Sequence, residues 1–183
     1  MVMEFIHGKS LKQYLQEKNA PLSEEETLKI IIPVLHDLEK LHEAEYIHRD
    51  VSPNTIILGG NKKVYLTGYD AICRITDRES ERVNVIMQTG YTPFEQYHSH
   101  GKMGPWTDIY AVCATMYRMM SGKKPQESVA RVLDDQVKPL FKLAKRGECP
   151  SVSWSTSHVV EKGMNLKCEK RYQNIGELLE DLY

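Results

Sequence analysis

The residues best suited to chemistry in this sequence lie in one short stretch, residues 46–58 (YIHRDVSPNTIIL). His48, Arg49 and Asp50 place an imidazole, a guanidinium and a carboxylate next to one another in the chain. The carboxylate of Asp50 has two uses: it could move a proton in a reaction, or it could cap a turn by accepting backbone hydrogen bonds. The residue types alone leave both uses open.

Metal and disulfide chemistry have little support in the sequence. The seven histidines do not cluster at metal-ligand spacing. The four cysteines lie far apart and include no C-x-x-C pair, so we expect neither a zinc site nor a disulfide framework. These cysteines are Cys73, Cys113, Cys149 and Cys168. The sequence favours reduced thiols in a cytosolic protein.

Length and composition indicate one globular unit. The chain has 183 residues, of which 41% are hydrophobic and 27% charged, which argues against wholesale disorder. The formal net charge of −1 lacks the basic excess of a nucleic-acid binder. No apolar run is long enough to cross a bilayer, and residues 1–8 lack the features of a signal peptide. We therefore expect a cytoplasmic protein with no membrane segment and no nucleic-acid partner.

A long helix must lead into the stretch at 46–58. Ser23 is a natural N-cap, and Glu26 three residues later completes a capping box. Apolar residues then recur at helical spacing, at Leu28, Ile31, Ile32, Leu35, Leu38 and Leu41. Pro33 lies inside this pattern and predicts a kink.

A hairpin must follow the stretch. Thr55–Leu58 and Lys63–Thr67 are short β-prone runs separated by a Gly-Gly-Asn turn. The next segment, from Asp70 to about Gly104, has no sustained period and predicts a long functional loop. The remaining patterns predict a strand at Val2–Ile6 and helices at Ser10–Gln16, Trp106–Met120, Val137–Ala144, Ser157–Leu166 and Ile175–Tyr183. The predicted fold is mainly α with a small β-hairpin.

Several ordered motifs resemble those of Hanks-type serine/threonine protein kinases, in their bacterial form. His48-Arg49-Asp50, after a long helix and before a hairpin strand, resembles the catalytic loop. Three later segments resemble the end of the activation segment, the start of the buried helix after it, and the R-Y/F-Q motif near the end of the domain. They are residues 89–97 (TGYTPFEQY), 108–111 (DIYA) and 170–173 (KRYQ). The resemblance implies one kinase-like domain over 1–183, with an activation segment at about 68–95.

The resemblance covers only part of a kinase. Residues 3–5 (MEF) resemble the hinge between the two kinase lobes. The chain shows no glycine-rich loop, no V-A-I-K lysine strand and no glutamate to pair with that lysine. We therefore expect a carboxy-terminal lobe with the amino-terminal lobe absent. An exposed face left by a missing lobe would favour self-association.

The resemblance assigns roles by position. Asp50 takes the acid/base position, His48 braces the loop, and Arg49 would meet a phosphate or an acidic group on the activation segment. The residues expected to border an adenine pocket are Met3, Glu4, Ile6 and Ile57. Three residues are expected to act structurally: Glu95 and Arg171 as a buried ion pair, and Asp108 as an acceptor for the amides of the His48–Asp50 turn.

The positions that hold metal and phosphate in the family are altered. Thr55 stands where an asparagine is expected, and Gly68 stands at the aspartate of D-F-G. Ser52 replaces the catalytic-loop lysine, and Gln88 replaces the threonine of the substrate loop. The remaining candidates for metal ligands are Asn54, Thr55 and Asp70.

These departures predict a catalytically impaired pseudokinase that acts in regulation or scaffolding through a protein partner. In that case Asp50 is chiefly structural, although it remains the best catalytic candidate. One alternative is a working serine/threonine kinase, seen as a fragment, that uses ATP and Mg²⁺ on protein hydroxyls. Another is a small-molecule phosphotransferase with the same fold, but the segment at 89–97 argues against it, because in the family it docks peptides.

Overall fold

The computed structural model describes residues 6–60, 63–76, 86–98 and 101–183. Helices dominate these ranges, and two small sheets lie beside them. The helices are α1 Leu11–Lys18, α2 Glu24–Glu43, α3 Pro105–Ser121, α4 Ser128–Leu133, α5 Leu140–Lys145, α6 Trp154–Gly163 and α7 Ile175–Leu182. The strands are β1 Gly8–Ser10, β2 Tyr46–Ile47, β3 Ile56–Gly59, β4 Val64–Leu66 and β5 Cys73–Arg74.

Helix α3 forms the centre of the core. Nearly all of its residues are buried, so it is enclosed on all sides, whereas the sequence predicted burial of one face. α2 and α6 pack against it. The close approach of α6 depends on Gly163, because a Cβ atom there would collide with the Cys113 sulfur. Gly122 ends α3 in the left-handed conformation (φ 69°), as its position predicted.

Helix α2 starts as the capping box predicted. The Ser23 hydroxyl accepts a hydrogen bond from the Glu26 amide at 3.2 Å, and the Glu26 carboxylate accepts one from the Ser23 amide at 3.0 Å. The helix continues through Pro33 as a single element. Its first turn also reaches α6, since the Glu24 carboxylate accepts hydrogen bonds from the Ser153 amide (2.7 Å) and the Thr156 hydroxyl (2.5 Å).

The predicted hairpin is confirmed as β3 and β4, which pair antiparallel with Ile57 opposite Tyr65. The sequence patterns missed the other strands. β1 pairs with β3 and places Lys9 opposite Leu58, and β2 pairs with β5 and places Ile47 opposite Cys73. These strands have two or three residues each, too few for a period to show.

Two helices start three residues away from their predicted positions, and one helix was not predicted. α6 begins at Trp154 rather than Ser157, because the Ser153 side chain caps it. α5 begins at Leu140 rather than Val137, and α4 was not predicted. Of the strand predicted at Val2–Ile6, residues 2–5 lie outside the described residues and Ile6 is not in a strand.

Two further predictions concern membranes and thiols. Within the described ranges, no helix combines the length and apolarity needed to span a bilayer. All four cysteines lie in those ranges and carry free thiols; Cys73 and Cys113 are buried.

Candidate active site around Asp50

A fully buried carboxylate at the start of α3 sets the geometry of the 46–58 loop. Asp108 accepts hydrogen bonds from the amides of His48 and Arg49 and contacts the His42 ring Nε2, each at 2.8 Å. Burial raises the pKa of Asp108, but the hydrogen bonds and the neighbouring imidazoles outweigh it and hold the pKa below its ordinary value. The ionised carboxylate therefore fixes the turn.

Arg49 adopts a strained backbone conformation in that turn. Its φ of 65° lies in the left-handed region, which costs a non-glycine residue on the order of 1–3 kcal/mol. Contacts from three other segments help to hold it: the Asp108 carboxylate accepts from its backbone amide, its Nε donates to the Ala71 carbonyl at 2.6 Å, and the Gln96 side-chain Nε2 donates to its carbonyl at 3.1 Å. The turn is thereby tied to both ends of the expected activation segment.

His48 supports Asp50 from within the same turn. The Asp50 amide donates to His48 Nδ1 at 3.2 Å, so this ring nitrogen carries no proton. Burial is the largest influence on the imidazole and lowers the pKa of His48. A neutral ring that accepts this hydrogen bond matches the bracing role that the resemblance implies.

The Asp50 carboxyl is buried, and its Oδ1 has no hydrogen-bond partner among the described residues. Burial raises the pKa of Asp50 to about 6, and the negative charge of Asp70 adds to this effect. The Gln88 side chain acts in the opposite sense, lowering the pKa through a hydrogen bond. The carboxyl can therefore exchange a proton close to neutral pH.

The three candidates for metal ligands, Asn54, Thr55 and Asp70, have different surroundings. The Thr55 hydroxyl donates to the Asp50 carbonyl at 2.6 Å and accepts from the Ser52 amide at 3.0 Å, which commits it to the loop backbone. Asn54 is exposed and donates to the Gln88 side-chain oxygen at 3.0 Å. Asp70 is exposed on a short 3-10 turn, Tyr69–Ala71. In the described ranges, no cluster of three or more His, Cys, Asp or Glu side chains is arranged to hold a metal.

Gly68 and Thr55 exclude a side chain where the resemblance implies the metal carboxylate. Gly68 has a φ of 89°, and a Cβ built on it would lie 2.6 Å from the Thr55 methyl carbon and 3.4 Å from Asp50 Oδ2. The threonine methyl thus fills the space beside the glycine. The residues present do not fit Mg²⁺ held by an aspartate at 68 and an asparagine at 55.

The candidate adenine pocket is only partly described. Met3 and Glu4 lie outside the described residues. Ile57 is half-buried on β3, opposite Ser10 and Tyr65, and Ile6 is half-buried ahead of β1. A backbone hydrogen bond holds the segment that carries Ile6 beside the end of β3, since the Gly60 amide donates to the His7 carbonyl at 3.0 Å.

Glu95 and Arg171 form a bidentate ion pair in the core, with N–O distances of 2.7 and 3.0 Å. The Thr107 hydroxyl donates to the same carboxylate at 3.1 Å, and Arg171 donates to the Trp106 carbonyl at 3.1 Å. The pair fastens the 3-10 turn Phe94–Tyr97 to α3 and to the segment before α7.

Sequence reasoning missed three side chains of this site. His42 contacts Asp108 from 66 positions away, and Gln96 bonds to Arg49 from 47 positions away, so neither leaves a local pattern. Gln88 was identified only as a departure from the family motif. Its interactions with Asp50 and Asn54 form only because the fold brings these distant positions together.

The sequence and the fold of this chain are similar to those of known proteins. The family model described as "protein kinase domain" matches residues 1–183. The probable serine/threonine-protein kinase PknB of Lactococcus lactis is 23% identical over 188 residues, covering 100% of this chain and 29% of the relative. Serine/threonine-protein kinase F of Synechocystis is 32% identical over 130 residues, covering 69% of this chain and 26% of the relative. A solved structure titled "PpkA-294 apo form" has a TM-score of 0.77 and 28% identity, covering 98% of this chain and 62% of that chain. The chain therefore spans less than a third of the length of these two curated relatives.

Removing one charge of the buried ion pair should destabilise the fold strongly. Glu95→Gln leaves the Arg171 guanidinium buried without a counter-charge, so the free energy of unfolding should fall by about 3–5 kcal/mol. Urea unfolding measures the change. Lys29→Gln breaks the exposed ion pair with Glu25 and serves as the control, with stability close to that of the starting protein. A small loss in Glu95→Gln, similar to that in the control, would contradict this assignment.

The contact between Gly68 and Thr55 predicts a coupled pair of substitutions. Gly68→Ala should lower the free energy of unfolding by about 2–3 kcal/mol, because it combines backbone strain with a collision. In a Thr55→Ser background, which removes the methyl group and keeps the hydroxyl, the collision part should be recovered. Gly147→Ala is the matched control: φ is 69° there and no atom lies within 4 Å of the added Cβ. Equal costs with and without the Thr55 methyl would disprove the contact.

The raised pKa of Asp50 predicts a pH-dependent stability. The folded carboxyl keeps its proton up to about pH 6, whereas the unfolded one releases it near 3.8, so the folded state binds more protons between these values. The Asp50 contribution to the free energy of unfolding should therefore fall as the pH rises from about 4 to about 6. Asp50→Asn should remove this fall and stabilise the protein at pH 7 by on the order of 1–2 kcal/mol. Urea unfolding of both proteins across this pH range is the measurement, and parallel curves would refute the prediction.

Proposed function

Because this chain belongs to the protein kinase domain family, we propose that it is a kinase-like domain with impaired phosphoryl transfer that acts by holding a protein partner. The observation that carries the proposal is the contact at Gly68. The position expected to present a metal carboxylate has no side chain, and the Thr55 methyl closes the space where one would begin.

The magnitude of the loss supports an impaired enzyme. Phosphoryl transfer depends mainly on positioning and on charge neutralisation by Mg²⁺. Removing one preorganised electrostatic group typically costs about 10²–10³ in rate. Here the metal aspartate, the metal asparagine and the phosphate-binding lysine are all replaced, by Gly68, Thr55 and Ser52. These losses need not add, because such groups act as a unit.

The surroundings of Asp50 support the same proposal. The side chain of Gln88 interacts with the Asp50 carboxyl and accepts a hydrogen bond from the Asn54 side chain, so it links Asp50 to Asn54. A substrate hydroxyl would therefore approach a carboxyl that already interacts with Gln88. In contrast, the two buried carboxylates of the surrounding scaffold, those of Asp108 and Glu95, both accept hydrogen bonds.

One observation favours a working serine/threonine kinase as the second candidate. Asp50 remains on a rigid turn, and its pKa near 6 suits a group that accepts a proton from a hydroxyl close to neutral pH. That function would require ATP and Mg²⁺ bound through residues other than those at 55 and 68.

Transfer of labelled phosphate separates the two functions. With Mg·ATP and a generic protein substrate, we expect no incorporation above the background of the Asp50→Ala variant. A catalytically active protein kinase in parallel shows that the assay works, and cooperative unfolding shows that the chain is folded. Incorporation that disappears in Asp50→Ala would establish the kinase instead. Calorimetric titration with ATP, with and without Mg²⁺, adds a second readout, since the proposal predicts no Mg²⁺-dependent binding.

A further inference from the structure

A trough with cationic walls runs along α1 beside the candidate site. Two cavities of about 480 and 250 Å³ adjoin there and share Leu15, Gln16 and Arg118. The larger cavity reaches Asn54, on the loop that carries Asp50, and also Gln88. The smaller cavity continues to the end of α3. The two cavities together offer an elongated space, as an extended chain segment requires.

The charge of the trough differs from that of the whole protein. Lys12, Arg118 and Lys124 line it, and none of the described lining residues is an aspartate or a glutamate. The whole chain, in contrast, has a formal net charge of −1. The positive charge is therefore a local feature of this surface.

Among the described residues, no carboxylate pairs with the three cations of the trough. The neighbouring lysines Lys9, Lys18 and Lys123 pair with glutamates. Glu17, the acid on α1, is among those partners and does not line the trough. Lys12 and Lys124 are exposed and form no ion pair with any residue in the described ranges, and the Arg118 guanidinium donates a hydrogen bond to the Gly122 carbonyl.

The lining of the trough mixes polar residues with a few apolar ones and offers no platform for stacking. Met87 is 42% exposed and lies with Leu15 and Pro53 along the larger cavity. Tyr91 is the one aromatic residue among the described lining residues, and it is buried, so a nucleic-acid base would find no ring face. An apolar side chain flanked by carboxylates matches this surface better than a polynucleotide does.

We propose that this trough binds an extended acidic peptide segment of a partner protein, with Lys12, Arg118 and Lys124 meeting its aspartate and glutamate side chains. The inference rests on the proposed function, because a domain without turnover would act by holding such a segment beside Asp50. Electrostatic complementarity of this kind selects the partner and speeds association.

Fluorescence anisotropy with the 183-residue chain tests the proposal. The probe is a short labelled peptide rich in glutamate, with a central leucine and serine; a matched peptide has lysine in place of each glutamate. We expect saturable binding of the acidic peptide only, weakened by salt because the contacts lie at the surface. Lys12→Glu/Lys124→Glu should weaken binding by about tenfold or more, since attraction becomes repulsion at two points.

The control variant Lys40→Glu/Lys142→Glu makes the same change of charge at two exposed lysines outside the trough and should bind like the starting protein. Thermal unfolding verifies that both variants fold, and Lys12→Gln/Lys124→Gln should give an intermediate affinity. Absence of saturable binding, equal weakening in the control, or equally tight binding of a single-stranded oligonucleotide would overturn the inference.

The result is independent of the test of activity. If the chain transfers phosphate, the proposed function fails, but the effect of Lys12 and Lys124 on peptide affinity still decides whether the trough binds acidic segments. If the chain is inactive and the peptide does not bind, only the trough assignment fails.

Discussion

The buried carboxylate of Asp108 is the constraint on which the rest of the site depends. It lies in the first turn of the most enclosed helix and accepts hydrogen bonds from two consecutive amides of the loop. Those bonds hold Arg49 in a left-handed conformation that it would not adopt alone, and this conformation directs the following Asp50 into the site. Because His42 of α2 also contacts this carboxylate, the single side chain of Asp108 connects α2, α3 and the loop.

The residues that hold the scaffold together differ in charge from those at the two positions where the resemblance implies metal ligands. The buried charges that connect elements, Asp108 and the pair of Glu95 with Arg171, each have several partners. Gly68 and Thr55 carry no charge, and the Thr55 hydroxyl donates a hydrogen bond to the loop backbone. Because neither residue is charged, no buried charge is left unpaired at these two positions, and the fold loses little stability there.

The trough and the candidate site share a boundary. Gln88 contacts Asp50 on one side and lines the larger cavity on the other, next to Asn54. A segment lying in the trough would therefore meet Gln88 before it met the carboxyl. In the proposed function, the domain would recognise its partner next to Asp50, where positive charge at Lys12 and Lys124 supplies the attraction.

Features that depend on neighbours a few positions apart could be predicted from the sequence. The Ser23 capping box, the hairpin and the end of α3 at Gly122 follow from bonds and conformations within about one turn, and ordered motifs singled out Asp50, Glu95 and Asp108. Three contacts could not be predicted in this way: the Thr55 methyl fills the space beside Gly68, His42 supports Asp108, and Lys12 and Lys124 line one trough. These contacts join segments that are distant in the chain, and a distant pair leaves no period or spacing in the sequence, because packing alone brings it together.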